Sequence, residues 1–527
     1  MAGERRRMYD LIDHIVADAE QLRSEVDQAF PAPIDVPTVK VPVGESVQTA
    51  YDALEPTGGI IQLEVGTHLG ELRIRERPPD APWVTITSDS SEYPPVGSMI
   101  TPEYLPALGV LQGVTKTTSP IRIQNKAHHV AFVNIGIGPP LTKSYSHVEM
   151  GGDKRNMLTP EDRPDGFLFD RCYIFGDPVL GGHRGITLNA SNVTVSSCYI
   201  KDIFEPGRDS QAVSAWNGGQ YLKIENCFLE GGAENVMFGG SDCASPEMAC
   251  SDILISRCHL SKNYAWMSLA SQPSIKCLFE IKSVKRLRME HCLLECNWKR
   301  DWSTGVGVML KACNQEGGEP TATCEDVVLE NLVIRNVGSV FGIIGKNDSG
   351  QTSDWMRRVA IRNVLAYDIN QTPYLGTGRG MPVANGVDDG IVIDHVTYHS
   401  NSHSWMNFYT DSGITASPGP LAFQNSMVCE GSYGYLSATN GIGFAALKKD
   451  WPHAQTVVTG NCFKAGSRSQ GTLPPDNIRL SAADWEASLG PDHMVLPGSP
   501  ANAVNTTDGT PPGASFTPPA RVGTYSR

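Results

Sequence analysis

Residues 191–200, SNVTVSSCYI, alternate apolar and polar side chains up to a polar residue, place a cysteine after it, and resume as a strand. The same pattern returns as YLKIENCFL at 221–229 and DILISRCHL at 252–260. Outward from these, further instances are VAFVNIGI (130–137), FLFDRCYI (167–174), LRMEHCLL (287–294) and VVLENLVI (327–334). VAIRNVLA (359–366), IVIDHVTY (391–398), LAFQNSMV (421–428) and VVTGNCFK (457–464) complete the series. One column runs through all of them: Ile135, Cys172, Cys198, Cys227, Cys258, Cys292, Leu332, Val364, Val396, Ser426 and Cys462. Successive members lie 26 to 40 residues apart, so the pattern is constant and the length elastic. A strand-bearing repeat with insertions of variable length predicts a solenoid whose loops leave one strand and rejoin the next coil.

Alternation predicts Val193, Val195, Cys198 and Ile200 inside, with Thr194 and Ser196 outside. The column cysteines read as an interior ladder of small, soft side chains. Asn134, Asn226, Asn331, Asn363, Asn425 and Asn461 stand just before the column, where an asparagine tolerates a left-handed backbone at a bend.

The entry segment ESVQTAYDALEPTGGIIQLEVGTHLGELRI, followed by WVTITSD, resembles the opening of pectate-lyase-like β-helix proteins and of phage tailspikes. HRGITLNASNVTVSSCYI, DSQAVSAWNGG, IENCFLEGGAENVMFGG, CLFEIKSVKRLRMEHCLLECNW and VMLKACNQEGG are similar to segments of bacterial β-helix repeat proteins of no assigned reaction. The resemblance implies an all-β fold: a single-stranded right-handed parallel β-helix solenoid with a short N-terminal α-helix. It transfers no catalytic residue, because pectate-lyase catalytic motifs are not apparent.

The expected organisation is an N-terminal helix at 1–30, a Pro-rich spacer at 31–44, the β-helix at 45–496 and a C-terminal cap or tail at 497–527. Met8, Ile12, Ile15, Ala19, Leu22, Val26 and Ala29 form a three-heptad seam, which fits a short coiled coil or a helix docked on the rod. Four prolines in PAPIDVPTVKVPV exclude a helix there.

Composition narrows the partners. With 43 Lys and Arg against 57 Asp and Glu, the formal net charge is −14, which argues against nucleic acid. No apolar run has membrane-span length, so no membrane partner is expected. Acidic residues at 10, 13 and 18 interrupt what would be a signal-peptide core, so folding in a cytoplasm is expected, followed by residence on a virion or outside the cell. The 13 cysteines cannot all pair; Cys243 with Cys250, or Cys313 with Cys324, could close a loop in an oxidising medium.

The densest polar set lies at 205–242. Cleavage of a glycan by hydrolysis needs two carboxyl groups, and Asp209, Glu234 and Asp242 are the catalytic candidates. Gln211, Trp216 and Asn217 are candidate substrate-binding residues beside them. Lys282, Lys311 and Lys346 at strand ends would make a cationic stripe suited to an acidic polymer, or supply a lysine base for β-elimination, with Asp348 as the alternative counter-ion. Trp216, Trp266, Trp298, Trp302 and Trp405 offer flat faces for sugar rings, or core packing. No metal site and no cofactor is expected from the scattered histidines.

The functional expectation is a virion-attached, tailspike-like receptor-binding protein, a homo-oligomer with a trimer favoured, that binds a bacterial surface polysaccharide and could cleave it. A stand-alone bacterial polysaccharide lyase or glycoside hydrolase, and a structural or adhesive spike without turnover, are the alternatives.

Overall fold

The computed structural model describes residues 37–519 apart from 79, 115–118, 140–144, 180, 301–302, 314–316, 347–352, 401, 412–413, 417 and 469–470. The seam at 8–29, Trp302, Asp348 and residues 31–36 of the Pro-rich spacer lie outside the described residues. The chain divides into two units, Met1–Ser274 with Val522–Arg527, and Ile275–Arg521. Each is built of right-handed β-helical coils.

In the first unit every full coil contributes three strands. The first row stacks His128–Val133, Asp165–Asp170, Ser191–Ser196, Gln220–Glu225 and Cys250–Ser256, all parallel and in register, so that Val130, Phe167, Val193, Leu222 and Ile253 fall in one line. The second row contains Tyr173–Phe175, Tyr199–Ile203, Phe228–Gly231 and His259–Ser261. The third runs Leu72–Ile74, Ile121–Ile123, Val148–Met150, Arg184–Leu188, Gln211–Ala215 and Glu234–Phe238. Ile123, Met150, Leu188 and Ala215 turn inward on this row and are fully buried.

The corner between first and second rows is where the sequence pattern acquires its geometry. Asn134, Arg171, Ser197, Asn226 and Arg257 all have φ between +50° and +56°. A single left-handed residue turns the strand without a loop, and the next residue of the column points into the core. Asparagine is the type best suited to it, yet arginine and serine are held there by the packing on both sides.

Cys172, Cys198, Cys227 and Cys258 are buried behind that corner. Cys172 N and Cys198 N each donate to the sulfur of the next coil, Cys198 Sγ and Cys227 Sγ, at 3.4 Å. Each thiol in turn donates to a carbonyl, as Cys227 does to Glu225 O at 3.1 Å. Burial pushes the Cys172 and Cys227 thiols well up. Neither candidate loop disulfide, Cys243 with Cys250 or Cys313 with Cys324, is formed. Val193, Val195 and Ile200 are interior as expected, but Thr194 and Ser196 are also buried, at 3% and 2% exposure.

The second unit repeats the plan. Val284–Glu290, Cys324–Val337 and Arg357–Ile369 stack in register, the last two each bending through a left-handed Asn331 or Asn363 to serve first and second rows in one strand. His291, His395 and Asn425 continue the corner at φ +51° to +53°, and at the last coil Gly460 takes the left-handed position in place of Asn461. The third row runs Phe279–Ile281, Val306–Lys311, Ser339–Ile344, Arg379–Ala384, Ser404–Tyr409 and Tyr435–Ser437.

Open coil ends are covered. The helix Val47–Leu54, capped by the Ser46 hydroxyl accepting from Thr49 N at 3.2 Å, buries Tyr51 and Leu54 beside the first strands. In the second unit Trp485, on the helix Ala482–Ser488, packs with Cys462, Leu480, Met427 and Val504. The final segment then runs back along the corner of the second unit. Thr507 N donates to Asn425 Oδ1 at 2.8 Å, Thr510 Oγ1 meets His395 Nε2 at 2.8 Å, and Ser515 N donates to Asn363 Oδ1 at 2.7 Å. The corner side chains thus hold an extended chain segment, as Arg171 and Asn226 in the first unit hold Pro94 O and Gly97 O.

Candidate functional site

The last three third-row strands of the first unit begin at polar residues that are in register: Arg184, Gln211 and Glu234. They form a relay. Arg184 Nε donates to Gln211 Oε1 at 3.0 Å, and Gln211 Nε2 donates to Glu234 Oε2 at 2.7 Å. Gln211 and Glu234 are fully buried, and Arg184 is partly exposed. The Arg184 guanidinium carbon lies 4.7 Å from the Tyr145 ring centroid and 4.8 Å from that of Trp216, a doubled cation–π contact. Its Nη1 is buried with no hydrogen-bond partner among the described residues.

Beside it, His183 Nδ1 meets Glu205 Oε2 at 2.8 Å, and the imidazole stacks on Tyr145 with centroids 4.7 Å apart. Burial, then the Arg184 charge, pushes His183 down to about 4 against the opposing pull of Glu205. The ring is therefore neutral at pH 7. With Nδ1–H donating to the carboxylate, Nε2 carries the lone pair.

The candidates from sequence fall into different settings. Asp209 is partly exposed on the bend before Gln211–Ala215. Glu234 is not an exposed loop carboxylate, because it opens a strand inside the relay. Asp242 is buried with Lys154 Nζ 3.6 Å away. Asn217 ties loops: its Nδ2 donates to Met157 O at 3.0 Å and its Oδ1 accepts from Ala244 N at 3.0 Å. Gln211 and Trp216 both contact Arg184.

In the second unit, Lys282 and Lys311 each follow the paired residues Ile281 and Leu310, so they are neighbours on adjacent coils. Lys311 pairs in register with Ile344, however, which sets Lys346 two residues further on and out of line. Lys282 Nζ lies 3.3 Å from Glu280 Oε2 at 15% side-chain exposure, and Lys346 lies over the Trp355 ring. An open stripe of three lysines is not formed. Trp266, Trp298 and Trp405 are buried packing residues.

His183, Arg184 and Tyr145 are the members sequence reasoning missed. His183 precedes and Arg184 opens an interior strand in HRGITLN, where a basic residue at a strand entry was the available signal. Tyr145 ends a long insertion and carries no pattern.

Solved structures of other proteins share this architecture. A PL6 family alginate lyase, AlyGC, matches at a TM-score of 0.50 and 10% identity, covering 92% of this chain and 57% of that one. The fold is a right-handed parallel β-helix. A mannuronic acid specific polysaccharide family 6 lyase from human gut microbiota matches at 0.48 and 11% identity, over 85% of this chain and 92% of that one. The N-terminal fragment of bacteriophage Phi29 gene product 12 matches at 0.37 and 11%, over 80% and 78%. No protein-family model and no curated protein matches the chain. At these identities the likeness concerns the fold alone.

Proposed function

We propose that the protein binds an acidic bacterial surface polysaccharide on the third strand row of the first unit, in the manner of a tailspike. The observation that carries this reading is the Arg184 guanidinium against Tyr145 and Trp216, with Nη1 lacking a partner among the described residues. A fixed cation answers a sugar carboxylate, and flanking rings answer the flat apolar face of a pyranose. Binding is favoured over hydrolysis because Glu234 and Asp242 are both buried within internal interactions. Attachment to a virion and assembly into a homo-oligomer belong to the same reading, resting on the seam of residues 8–29 and the spacer after it.

The test is binding of the full chain to an array of acidic and neutral bacterial polysaccharides. Arg184→Ala and Trp216→Ala should each weaken the acidic hit at least about tenfold. Preference for neutral polymers, or unchanged binding by Arg184→Ala, rejects the reading. A native mass at the 57.0 kDa monomer removes the assembly part.

The His183–Glu205 pair supports a second reading, turnover by β-elimination. A neutral imidazole can take the proton beside a uronate carboxyl group while the C–O bond at the neighbouring carbon breaks to leave an unsaturated sugar. Ultraviolet absorbance of that product tests it; none appearing with the array-selected polymer rejects turnover and leaves binding standing.

A further inference from the structure

Residues 489–495 of the second unit form a tight hairpin. Leu489 bridges Val495, Gly490 N donates to Met494 O at 2.8 Å, and Leu496 N returns to Ser488 O at 2.9 Å. At its tip His493 takes φ +61°. Its Nδ1 faces His399 Nδ1, on the strand Thr397–His399, at 3.0 Å. The His493 ring also stacks on Tyr367, centroids 4.3 Å apart, and Met494 packs onto Leu293, Val333 and Leu365.

Two identical nitrogens at that distance can bond only if one carries hydrogen and the other a lone pair. A first proton can enter at a far nitrogen and leave the bond intact. A second makes both Nδ1 atoms donors and sets two like charges against each other. The groups around the pair are mixed: Glu486 on the capping helix, Asp368 on the neighbouring strand, Lys464 at the end of Cys462–Lys464, and Arg335 bonded to the Tyr367 hydroxyl at 2.7 Å. Glu486 is itself paired with Lys464 at 2.8 Å, which offsets its charge.

We infer that the His399–His493 pair is an acid-released latch that lifts the 489–495 hairpin off the second strand row, baring the part of the Leu293, Val333, Leu365 and Ala514 cluster that Met494 covers. Burial and the neighbouring His493 hold His399 below its ordinary value, which is the direction a latch needs. Its stability is present above about pH 6.5 and is lost as pH falls through the lowered value.

Release is local. His395 binds the later segment through Thr510 and lies 3.6 Å from Asp508, and Asp394 holds it above its ordinary value, against its burial. Acid therefore strengthens residues 506–513 while it loosens 489–495.

Hydrogen exchange of the full chain, corrected for intrinsic rates, tests this at pH 7.5 and 4.5. The amides of Gly490, Met494 and Leu496 should exchange at least about tenfold faster at the lower pH, while those at 507–515 stay protected. His399→Gln keeps a hydrogen-bonding amide but cannot ionise, and it should abolish the difference. His493→Asn suits the left-handed tip and serves as the second variant. Equal protection of the hairpin at both pH values overturns the inference. So does equal acceleration in either variant, or opening of the whole C-terminal segment together.

Discussion

The His183 imidazole stands between a carboxylate and a guanidinium: Glu205 Oε2 lies 2.8 Å from its Nδ1, and Arg184 follows it in the chain. Burial and Arg184 outweigh Glu205, so the ring is depressed to about 4. A depressed histidine contributes stability that is complete above about pH 6.5 and is lost as pH falls through its folded value. Histidine-selective NMR should therefore show His183 neutral down to about pH 5. Glu205→Gln, which removes the group favouring the proton, should move its titration lower still. A midpoint near 6.5 in the parent protein contradicts this arrangement.

Glu234 and Asp209 should separate when substituted. Glu234→Ala deletes the acceptor of a fully buried Gln211 amide, and leaving that donor unmade costs about 1–3 kcal/mol, read as a lowered urea midpoint. Asp209→Asn, on a partly exposed bend, should change stability by about 1 kcal/mol or less. Equal losses would mean that Asp209 holds the turn as firmly as Glu234 holds the relay.

The repeat was legible because the interior imposes it. Cys172, Cys198, Cys227 and Cys258 face the core at one angular position, which Ile135, Leu332, Val364, Val396 and Ser426 fill on other coils with apolar or small side chains. The corner was legible only in part. Asn226 and Asn363 announce a left-handed residue, whereas Arg171 and Ser197 adopt the same φ without any local preference. Stacked strands on both sides decide their conformation. The site was harder still, because Tyr145, His183 and Glu205 come from three successive insertions whose lengths the repeat does not control, and Trp216 from the connection after Gln211–Ala215. The sequence pattern suggests exposed loop carboxylates, while Glu234 sits where register places it, one coil beyond Gln211.

Lys262 makes a stability test within the first unit that is independent of the site. Its ammonium is fully buried and donates to Gly231 O at 2.9 Å, Gly232 O at 2.6 Å, Ala233 O at 3.3 Å and Asn235 Oδ1 at 3.0 Å. These oxygens line the tight bend between second and third rows, where Gly231 and Gly232 leave no room for a Cβ. Lys262→Met keeps the stem but strands the acceptors, so a loss of about 3 kcal/mol or more is expected. A melting temperature within a degree of the parent would show that water replaces the ammonium at little cost.

His395 should respond to pH with the opposite sign to His183. Its Nδ1 lies 2.8 Å from Asp394 Oδ1 and its Nε2 reaches Thr510 Oγ1, so the corner and the final segment share one side chain. Burial opposes the charge, but the Asp394 hydrogen bond and its charge prevail and raise the group. A raised histidine contributes stability that is fully present below about pH 6.5 and is lost as pH climbs through the folded value. Intrinsic-rate-corrected exchange at Thr510 and Gly513 should therefore be slower at pH 6 than at pH 9. His395→Gln keeps a polar contact without the charge, and it should flatten that dependence while lowering protection at pH 6 to the parent's level at pH 9. If the variant instead retains the parent's slope, Asp508 and Thr510 hold the segment without the imidazolium, and the charge at this corner has no part in fastening it.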